Sequence, residues 1–562
     1  EYIVVAACDA FVSLAINLPT DNSGITRGDN DVFSDGLASE YTVNDVTLLF
    51  FEGTATTSKL LAKYSPASAT WNRVGTSIDN VTSIATIVQE IDNKLKNTTM
   101  YLLVILNDAS GITYTPTTTT LDDVINDTVN NANAIASGNM MMVNAPLAKA
   151  PGKNAVPTSS DLLTLVPIAT SQIYSTEAEA KANPSAQVYV ERLASKVTVS
   201  AADGTTTNGG LDYTFEGWYL DNYNIQSYLM RSTEDYTSFF NYYSDKVSDA
   251  KKWRMVGSDA VGKNYNNSET YYRTYFAKDQ NYDGTGSVTL TTTTSPTFKT
   301  TFGDENPAYC FENTFDVANQ RYKKTTRVVF EVKFNGGDDF YTLGGNGSTI
   351  YPATGTNSLD AKLKELLANE TTIKTWFDTN KATSGVPKSS VSFADAVTIT
   401  LGLKSGSTTE YEVTAVTLNE STLFFTGHTA YVPLDTSYDS YKLAEVLNNA
   451  AGSITYYKGG IAYYDSRIKH FGDELTPWDE TEHLTVNAYD DNGTAPVSRY
   501  LGRWGMLRNN WYDLHVTSIK QVGSATVPDV SSDDTTDDVV NAYISVKINI
   551  LSWAKRTQNV GL

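Results

Sequence analysis

The sequence predicts a mainly β protein with a few helices, organised as two antiparallel β-sandwich domains in tandem. The chain has 562 residues, more than one hydrophobic core normally organises, so more than one domain is expected. Its 35 tyrosines and frequent threonines suit pleated surfaces that are half buried. Short strand-like runs also outnumber the helical patterns, which favours sandwiches over a βαβ sheet.

Two strands with one apolar face lie near opposite ends of the sequence. In residues 9–18 the alternate apolar residues that share one face are Ala10, Val12, Leu14, Ile16 and Leu18. In residues 541–553 the corresponding residues are Ile544, Val546, Ile548 and Ile550. The chain continues through Trp553 to Val560 and Leu562, which are again two residues apart. A terminal apolar strand must be buried in its own sheet or in an open groove of a neighbour.

The remaining elements are predicted from the period of their apolar residues. Further strands are expected at residues 44–52, 100–107, 187–200, 326–334 and 396–403. Helices are expected at residues 83–97, 121–137 and 359–380, where apolar residues recur at helical spacing. A glycine-rich turn follows residue 200 and marks the expected boundary between the two sandwiches.

Composition excludes several classes of function. The formal net charge of −22 disfavours nucleic acid and anionic membrane surfaces as partners. The four histidines have neither metal-ligand spacing nor a neighbouring nucleophile, so we predict no catalytic residue, no metal and no cofactor. Residues 279–284 resemble the first half of a calcium loop, but Leu290 stands where that loop needs a glutamate, so a tight turn is favoured. Cys310 lies in apolar sequence and is predicted to be a core residue.

Candidate processing sites lie before residue 30. Residues 5–8 (VAAC) are similar to a bacterial lipobox, which would make Cys8 an acylation site; the alternative, an unreactive Cys8 in a buried strand, stays open. Arg27 precedes Gly28 in a polar segment rich in glycine and aspartate, which suits a protease that cuts after arginine. Residues 27–29 also spell the integrin-binding tripeptide RGD, for which chance is the favoured interpretation.

Seven segments, taken in order along the chain, carry a family resemblance. They are residues 139–147 (NMMMVNAPL), 188–197 (VYVERLASKV), 216–231 (EGWYLDNYNIQSYLMR), 310–315 (CFENTF), 456–470 (YYKGGIAYYDSRIKH), 502–518 (GRWGMLRNNWYDLHVTS) and 544–562. Together they resemble the major-subunit family of Bacteroidales fimbriae, the type V pili of Porphyromonas and Bacteroides. The length of the chain and its RNNWY block are more similar to those of the short-fimbria major subunit than to those of the long-fimbria major subunit. Trp504 replaces a tyrosine of that family, and an acidic loop at residues 533–538 is extended.

The resemblance implies two transthyretin-like sandwiches and a non-enzymatic, structural subunit of a cell-surface fimbria that serves adhesion and colonisation. It implies a lipoprotein precursor, anchored at Cys8, that passes through the periplasm to the outer membrane. An arginine-specific protease would cut after Arg27 and leave Gly28 as the new N-terminus. The expected divisions are a removable segment at 1–27, sandwiches at 28–200 and 201–540, and a strand and tail at 541–562.

Assembly by strand exchange follows from the same resemblance. Loss of the first strand would open a groove, and the C-terminal segment of the next subunit would refill it in a head-to-tail filament. The candidate donor residues are Ile544, Val546, Ile548, Ile550, Trp553, Val560 and Leu562. The expected partners are copies of the chain, fimbrial anchor and tip subunits, and host or bacterial surface receptors, with a membrane only through the precursor's lipid.

Two alternatives stay open. The chain could be an accessory or tip adhesin of the same fimbriae, which needs no free donor strand. It could also be a secreted glycan-binding or glycan-active sandwich with a pair of carboxylates that the sequence alone cannot bring together.

Overall fold

The computed structural model describes the greater part of the chain. The described residues are 10–19, 36–67, 69–73, 81–149, 162–183, 185–231, 256–263, 270–274, 279, 290–291, 296–314, 322–470, 504–529, 544–551 and 557–559. The fold is mainly β, which confirms the predicted fold class.

The first twelve strands belong to the N-terminal half. They are β1 Ala10–Pro19, β2 Val46–Phe51, β3 Leu60–Tyr64, β4 Trp71–Arg73, β5 Val81–Ile91, β6 Met100–Leu106, β7 Thr128–Val129, β8 Met142–Asn144, β9 Leu147–Ala148, β10 Leu162–Leu163, β11 Val166–Ile168 and β12 Ala186–Arg192. Two helices, α1 Leu121–Asn126 and α2 Glu177–Ala182, lie among them.

One large sheet organises this half, in the order β3-β2-β6-β8-β12-β1-β5-β4, with β11 paired to β6. Apolar side chains from distant strands of this order, such as Leu14, Phe50 and Leu102, meet in one core. The sheet therefore curls over its own inner face. Leu49, Leu103 and other residues of its opposite face form a second core, so both sides of the central strands are buried, as expected for strands with long apolar runs.

The remaining strands follow in chain order. They are β13 Ala194–Ser200, β14 Gly204–Thr205, β15 Asp212–Asp221, β16 Tyr223–Asn224, β17 Ser227–Tyr228, β18 Val256–Lys263, β19 Thr270–Thr274, β20 Leu290–Thr291, β21 Ala308–Phe311, β22 Arg327–Phe334, β23 Phe340–Leu343, β24 Asn346–Pro352, β25 Val397–Leu403, β26 Glu410–Leu418, β27 Ile454–Tyr457, β28 Ile461–Arg467, β29 Trp511–Ile519, β30 Ile544–Leu551 and β31 Thr557–Asn559. Two sheets, β21-β13-β29-β30-β31 and β14-β15-β22-β28, enclose a shared core that contains Leu514 from one sheet and Phe330 from the other. This is the second sandwich.

A lobe that the sequence did not predict lies between β22 and β28. These two strands pair directly with each other, so residues 335–460 are an insertion between neighbouring strands. The lobe has a five-stranded sheet, β24-β23-β27-β26-β25. Its helices are α3 Leu359–Asn369, α4 Thr371–Ala382, α5 Glu420–Leu423 and α6 Ser440–Ala451. Helices and sheet share a core of their own, which includes Leu363, Ile373 and Leu447.

The helix predicted at residues 83–97 is wrong. The structure has strand β5 there, followed by a 3₁₀ turn at Asn93–Leu95. Its β-branched residues favour strand, and β5 pairs with β1 along the whole of β1. The helix predicted at 121–137 is confined to α1, and that at 359–380 is divided into α3 and α4 at Glu370, whose carboxylate caps α4 by accepting from the Ile373 N–H.

The run predicted as one strand at residues 187–200 is two strands in different sheets. β12 belongs to the first sheet and β13 to the second, with Leu193 between them. The chain therefore passes from one sheet to the other a few residues before the predicted boundary at residue 200, which stays a prediction. β12 is parallel to β1, and β13 is parallel to β29. These two pairs depart from the antiparallel arrangement expected of each sandwich.

Lobe and sandwich meet through backbone at Gly347. The Val522 N–H donates to the Gly347 carbonyl over 3.0 Å, and a Cβ added at Gly347 would lie 2.6 Å from the Val522 oxygen. We expect Gly347→Ala to lower the free energy of unfolding by about 1–3 kcal/mol, because one backbone must move away from the other. Gly427→Ala in the same lobe, where a Cβ meets nothing within 4 Å, is the matched control. Urea unfolding of both variants checks this, and equal midpoints would contradict it.

Candidate functional site: the groove of the first strand

The strand predicted to be removable lies inside a sheet. β1 is antiparallel to β5 on one side and parallel to β12 on the other. Leu14 stands opposite Ile87 of β5 and opposite Ala186 of β12. Both edges of β1 are therefore paired, and taking it away would leave two strand edges facing an open groove. Unpaired strand edges of this kind bind another extended segment readily.

The inner face of β1 is part of the first core. Ala10, Val12 and Leu14 are fully buried. Burying Val12 and Leu14 contributes about 1.5–3 kcal/mol for each side chain, so an empty groove would expose a substantial apolar surface. Ile16 and Leu18 also lie in β1, while their side chains are outside the described residues.

A polar network holds the middle of β1, and sequence reasoning missed it. The Ser13 N–H donates to the Ser185 hydroxyl over 2.9 Å, and the Ser185 N–H donates to the Ser13 carbonyl over 2.6 Å. The Ser185 hydroxyl in turn donates to the Gln172 carbonyl over 2.7 Å. Ser185 lies 172 residues from Ser13 along the chain, so only the folded structure brings them together.

The C-terminal candidate strand lies in its own sandwich. β30 pairs antiparallel with β29, and the register sets Ile548 opposite Leu514 and Ile550 opposite Tyr512. Ile544 and Val546 lie in the same strand, opposite Ile519 and Val516. β31 then pairs with β30 through three residues, at the edge of the sheet. Cys8, Arg27, Gly28, Trp553, Val560 and Leu562 lie outside the described residues, as does the calcium-like run apart from Asp279.

The motifs that carried the resemblance converge where the two sandwiches meet. Arg508 of the RNNWY block pairs with Glu312 of the CFENTF motif, with 2.6 Å between Nη2 and Oε1. The same guanidinium donates to the carbonyls of Tyr228 and Leu229. Both side chains are almost fully buried. The Leu229 N–H in turn donates to the Asp127 carbonyl in the first half of the chain, so Arg508 supports the connection between the sandwiches.

A second buried cluster surrounds Glu40. Its carboxylate lies 2.7 Å from the Lys196 ammonium and accepts from the Tyr309 hydroxyl over 2.6 Å. The Lys196 ammonium also lies 3.8 Å from the centre of the Trp511 ring, within range of a cation–π interaction. Burial, and then the Glu40 carboxylate, raise the pKa of the Tyr309 phenol, so this hydroxyl stays protonated and acts as a donor. The sequence motifs therefore include buried charges that pair across the fold.

The described histidine and cysteine side chains of the second sandwich, which are of types that can act in catalysis, have structural roles. His470 is buried, with Nδ1 2.7 Å from the Tyr512 hydroxyl, and His515 lies 2.5 Å from Asp513. Cys310 is buried as predicted, and burial raises the pKa of its thiol to about 12, which makes it unreactive. Within the described parts of the chain, there is no group of three or more histidine, cysteine or acidic residues that could hold a metal ion. Among the described helices, none is both long enough and apolar enough to cross a bilayer.

The fold and the groove of β1 together define a class of protein: a β-sandwich protein whose first described strand fills a gap inside its own sheet. Residues 455–559 match the family model described as the C-terminal region of fimbrillin, the major fimbrial subunit protein type IV. The match over these residues supports the family resemblance drawn from the sequence.

Solved structures of cell adhesion and fimbrial proteins are similar to this chain. A candidate cell adhesion protein of Parabacteroides distasonis is 10% identical, with 97% of each chain covered and a TM-score of 0.35. Another, from Bacteroides eggerthii, is 11% identical, covering 97% of this chain and 96% of its own, with a TM-score of 0.31. A fimbrial assembly protein of Parabacteroides distasonis is 10% identical, covering 58% of this chain and 99% of its own, with a TM-score of 0.24. None of the curated proteins compared with the chain matches it.

Proposed function

We propose that this chain is the structural major subunit of a fimbria and polymerises head to tail by strand exchange. The observation that carries the proposal is the place of β1, paired on both edges and buried on its inner face. Strand exchange needs such an element, because only an inner strand leaves a groove with two edges when it is removed. The contact is heterologous, so repetition gives an open filament rather than a closed ring.

The donor is proposed to come from residues 541–562 of the next subunit. This segment repeats the alternation of β1, with Ile544, Val546, Ile548 and Ile550 as its apolar set. β31 is the more easily released part, because three residues pair it to β30 and it lies at a sheet edge. Other proposed partners are anchor and tip subunits and surface receptors.

Maturation is proposed to begin with a lipid on Cys8 and to end with cleavage after Arg27. We expect Arg27→Ala to accumulate unassembled precursor, because β1 then stays in its groove. Mass spectrometry of the membrane fraction should find lipid on Cys8, and filaments of the parent protein should begin at Gly28. Lys59→Ala, a change at another cation, is the control and should assemble normally. Filaments of normal length that retain residues 1–27 would overturn the proposal, and an unmodified Cys8 in the membrane fraction would overturn the lipidation step alone.

A further inference from the structure

We propose that the junction between the inserted lobe and the second sandwich binds a small neutral saccharide. A cavity of about 360 Å³ lies there, between one face of the lobe's sheet on one side and β28 with the segment that follows β29 on the other. Its lobe wall includes Thr342, Thr409, Glu410 and Thr455, and its opposite wall includes Asp465 and Ser524. The site is separate from the β1 groove and does not depend on strand exchange.

The walls of the cavity are fixed before any ligand arrives. The Tyr457 hydroxyl donates to the Gly523 carbonyl over 2.8 Å, and the Tyr464 hydroxyl donates to the Gln521 carbonyl over 2.7 Å. Gly347 allows the lobe backbone to approach the sandwich, since a Cβ there would lie 2.6 Å from the Val522 oxygen. Gly523 allows the segment that follows β29 to approach β28, since a Cβ there would lie close to the Tyr463 carbonyl oxygen. A pre-formed site of this kind binds without the cost of ordering its own walls.

The polar groups of the cavity select a ligand rich in hydroxyl groups. The Glu410 carboxylate accepts from the Thr455 hydroxyl over 2.7 Å, and a carboxylate has about four acceptor positions in all. Threonine and serine hydroxyls of both walls can donate or accept. A saccharide has the matching pattern, because each of its hydroxyls is both donor and acceptor. The ligand is therefore polar, and its hydroxyls donate to Glu410.

Charge and size narrow the ligand further. Two carboxylates, those of Glu410 and Asp465, line the cavity. The Asp465 carboxylate lies 3.2 Å from the Arg327 guanidinium, which balances its charge. The negative charge of Glu410 therefore disfavours acidic sugars at its side of the cavity. The volume of about 360 Å³ is near the lower end of the range of about 300–1,000 Å³ for small-ligand pockets. One or two sugar rings are the expected size, not a long chain.

The test measures binding to the full-length monomer by saturation-transfer NMR and calorimetry. The probes are glucose, galactose, mannose, fucose and N-acetylglucosamine with their common disaccharides, set against glucuronic acid, N-acetylneuraminic acid and the cationic sugar glucosamine. We expect at least one neutral probe to bind and the two acidic sugars not to bind. The proposal would be overturned if none of the neutral probes bound. It would also be overturned if glucosamine alone bound, because the site would then recognise the positive charge of the sugar and not its hydroxyl groups.

Variants locate the site. Glu410→Gln is expected to weaken binding of the neutral probe about tenfold or more, because hydrogen bonds to a charged acceptor are among the stronger ones. Glu412→Gln removes the same charge two residues along β26, at an exposed position outside the cavity, and should bind as the parent does. Thr409→Val keeps the shape of the side chain and should also weaken binding. If Glu410→Gln alters the melting curve of the protein, the affinity of the Thr409→Val variant tests the site in its place. Equal affinities of the Glu410, Thr409 and Glu412 variants would exclude this cavity.

Discussion

Arg508→Met is expected to lower the free energy of unfolding by about 3–5 kcal/mol, because it leaves the Glu312 carboxylate buried without its partner. The guanidinium is fully buried and makes contacts with Glu312, with the Ser227 hydroxyl and with two backbone carbonyls. Methionine keeps much of the volume and provides none of these hydrogen bonds. The measurement is denaturant unfolding followed by near-UV circular dichroism, which reports the packing of aromatic side chains.

Two further variants separate charge from packing. Arg508→Met with Glu312→Leu is expected to recover most of the loss, because replacing both members of a buried pair by apolar groups removes the unpaired charge. Lys442→Met breaks the exposed pair with Glu445, whose atoms are 3.3 Å apart, and should change stability by less than about 1 kcal/mol. If Arg508→Met and Lys442→Met unfold at the same denaturant concentration, the Arg508 pair does not stabilise the junction.

Several strands were predictable from the period of their apolar residues. β1 and β22 lie close to their predicted ranges because alternation of apolar residues indicates a strand with a buried face, and β6 lies close to its range because a short, continuous apolar run indicates a strand buried on both faces. β5 shows the limit of that approach. Its apolar residues also satisfy helical spacing, and pairing with β1 decides the outcome. Neither the parallel pairing of β1 with β12 nor the insertion of the lobe leaves a local signal.

The sequence showed the buried polar residues as members of motifs, but it did not show which of them contact each other. Arg508 and Glu312 are 196 residues apart in the chain. Arg231, whose buried guanidinium donates to the Glu191 carboxylate, is 40 residues from its partner. Each residue stood in a segment that carried the family resemblance, yet no spacing rule pairs them. A charged residue within an apolar motif is the one signal that could have marked them, since a buried charge requires a partner. Such reasoning cannot predict the Glu410 cavity, because four separate segments of the chain build it.

Deleting residues 554–562 is expected to abolish filament growth and to leave the fold of the monomer unchanged. The deletion removes β31, which pairs with β30 through three residues at the sheet edge, whereas β30 keeps its pairing with β29. The melting curve of the monomer should therefore stay close to that of the parent. Growth should stop because the groove left by β1 then lacks the segment that we propose fills it. Electron microscopy after arginine-specific proteolysis, alongside thermal melting, provides the measurement.

A peptide with the sequence of residues 10–19 supplies the complementary test. Added to the cleaved parent protein, it should refill the groove, raise the melting temperature and block assembly, because Val12 and Leu14 return to fully buried positions. The matched control is the same peptide with Val12→Asp and Leu14→Asp, which should do none of these things, since burying unpaired charges costs several kcal/mol. Assembly of the tail-deleted chain at the normal rate would exclude residues 554–562 as the essential donor. Assembly that is lost together with a lowered melting temperature would assign those residues to their own sandwich, because a donor segment contributes to the filament and not to the stability of the monomer.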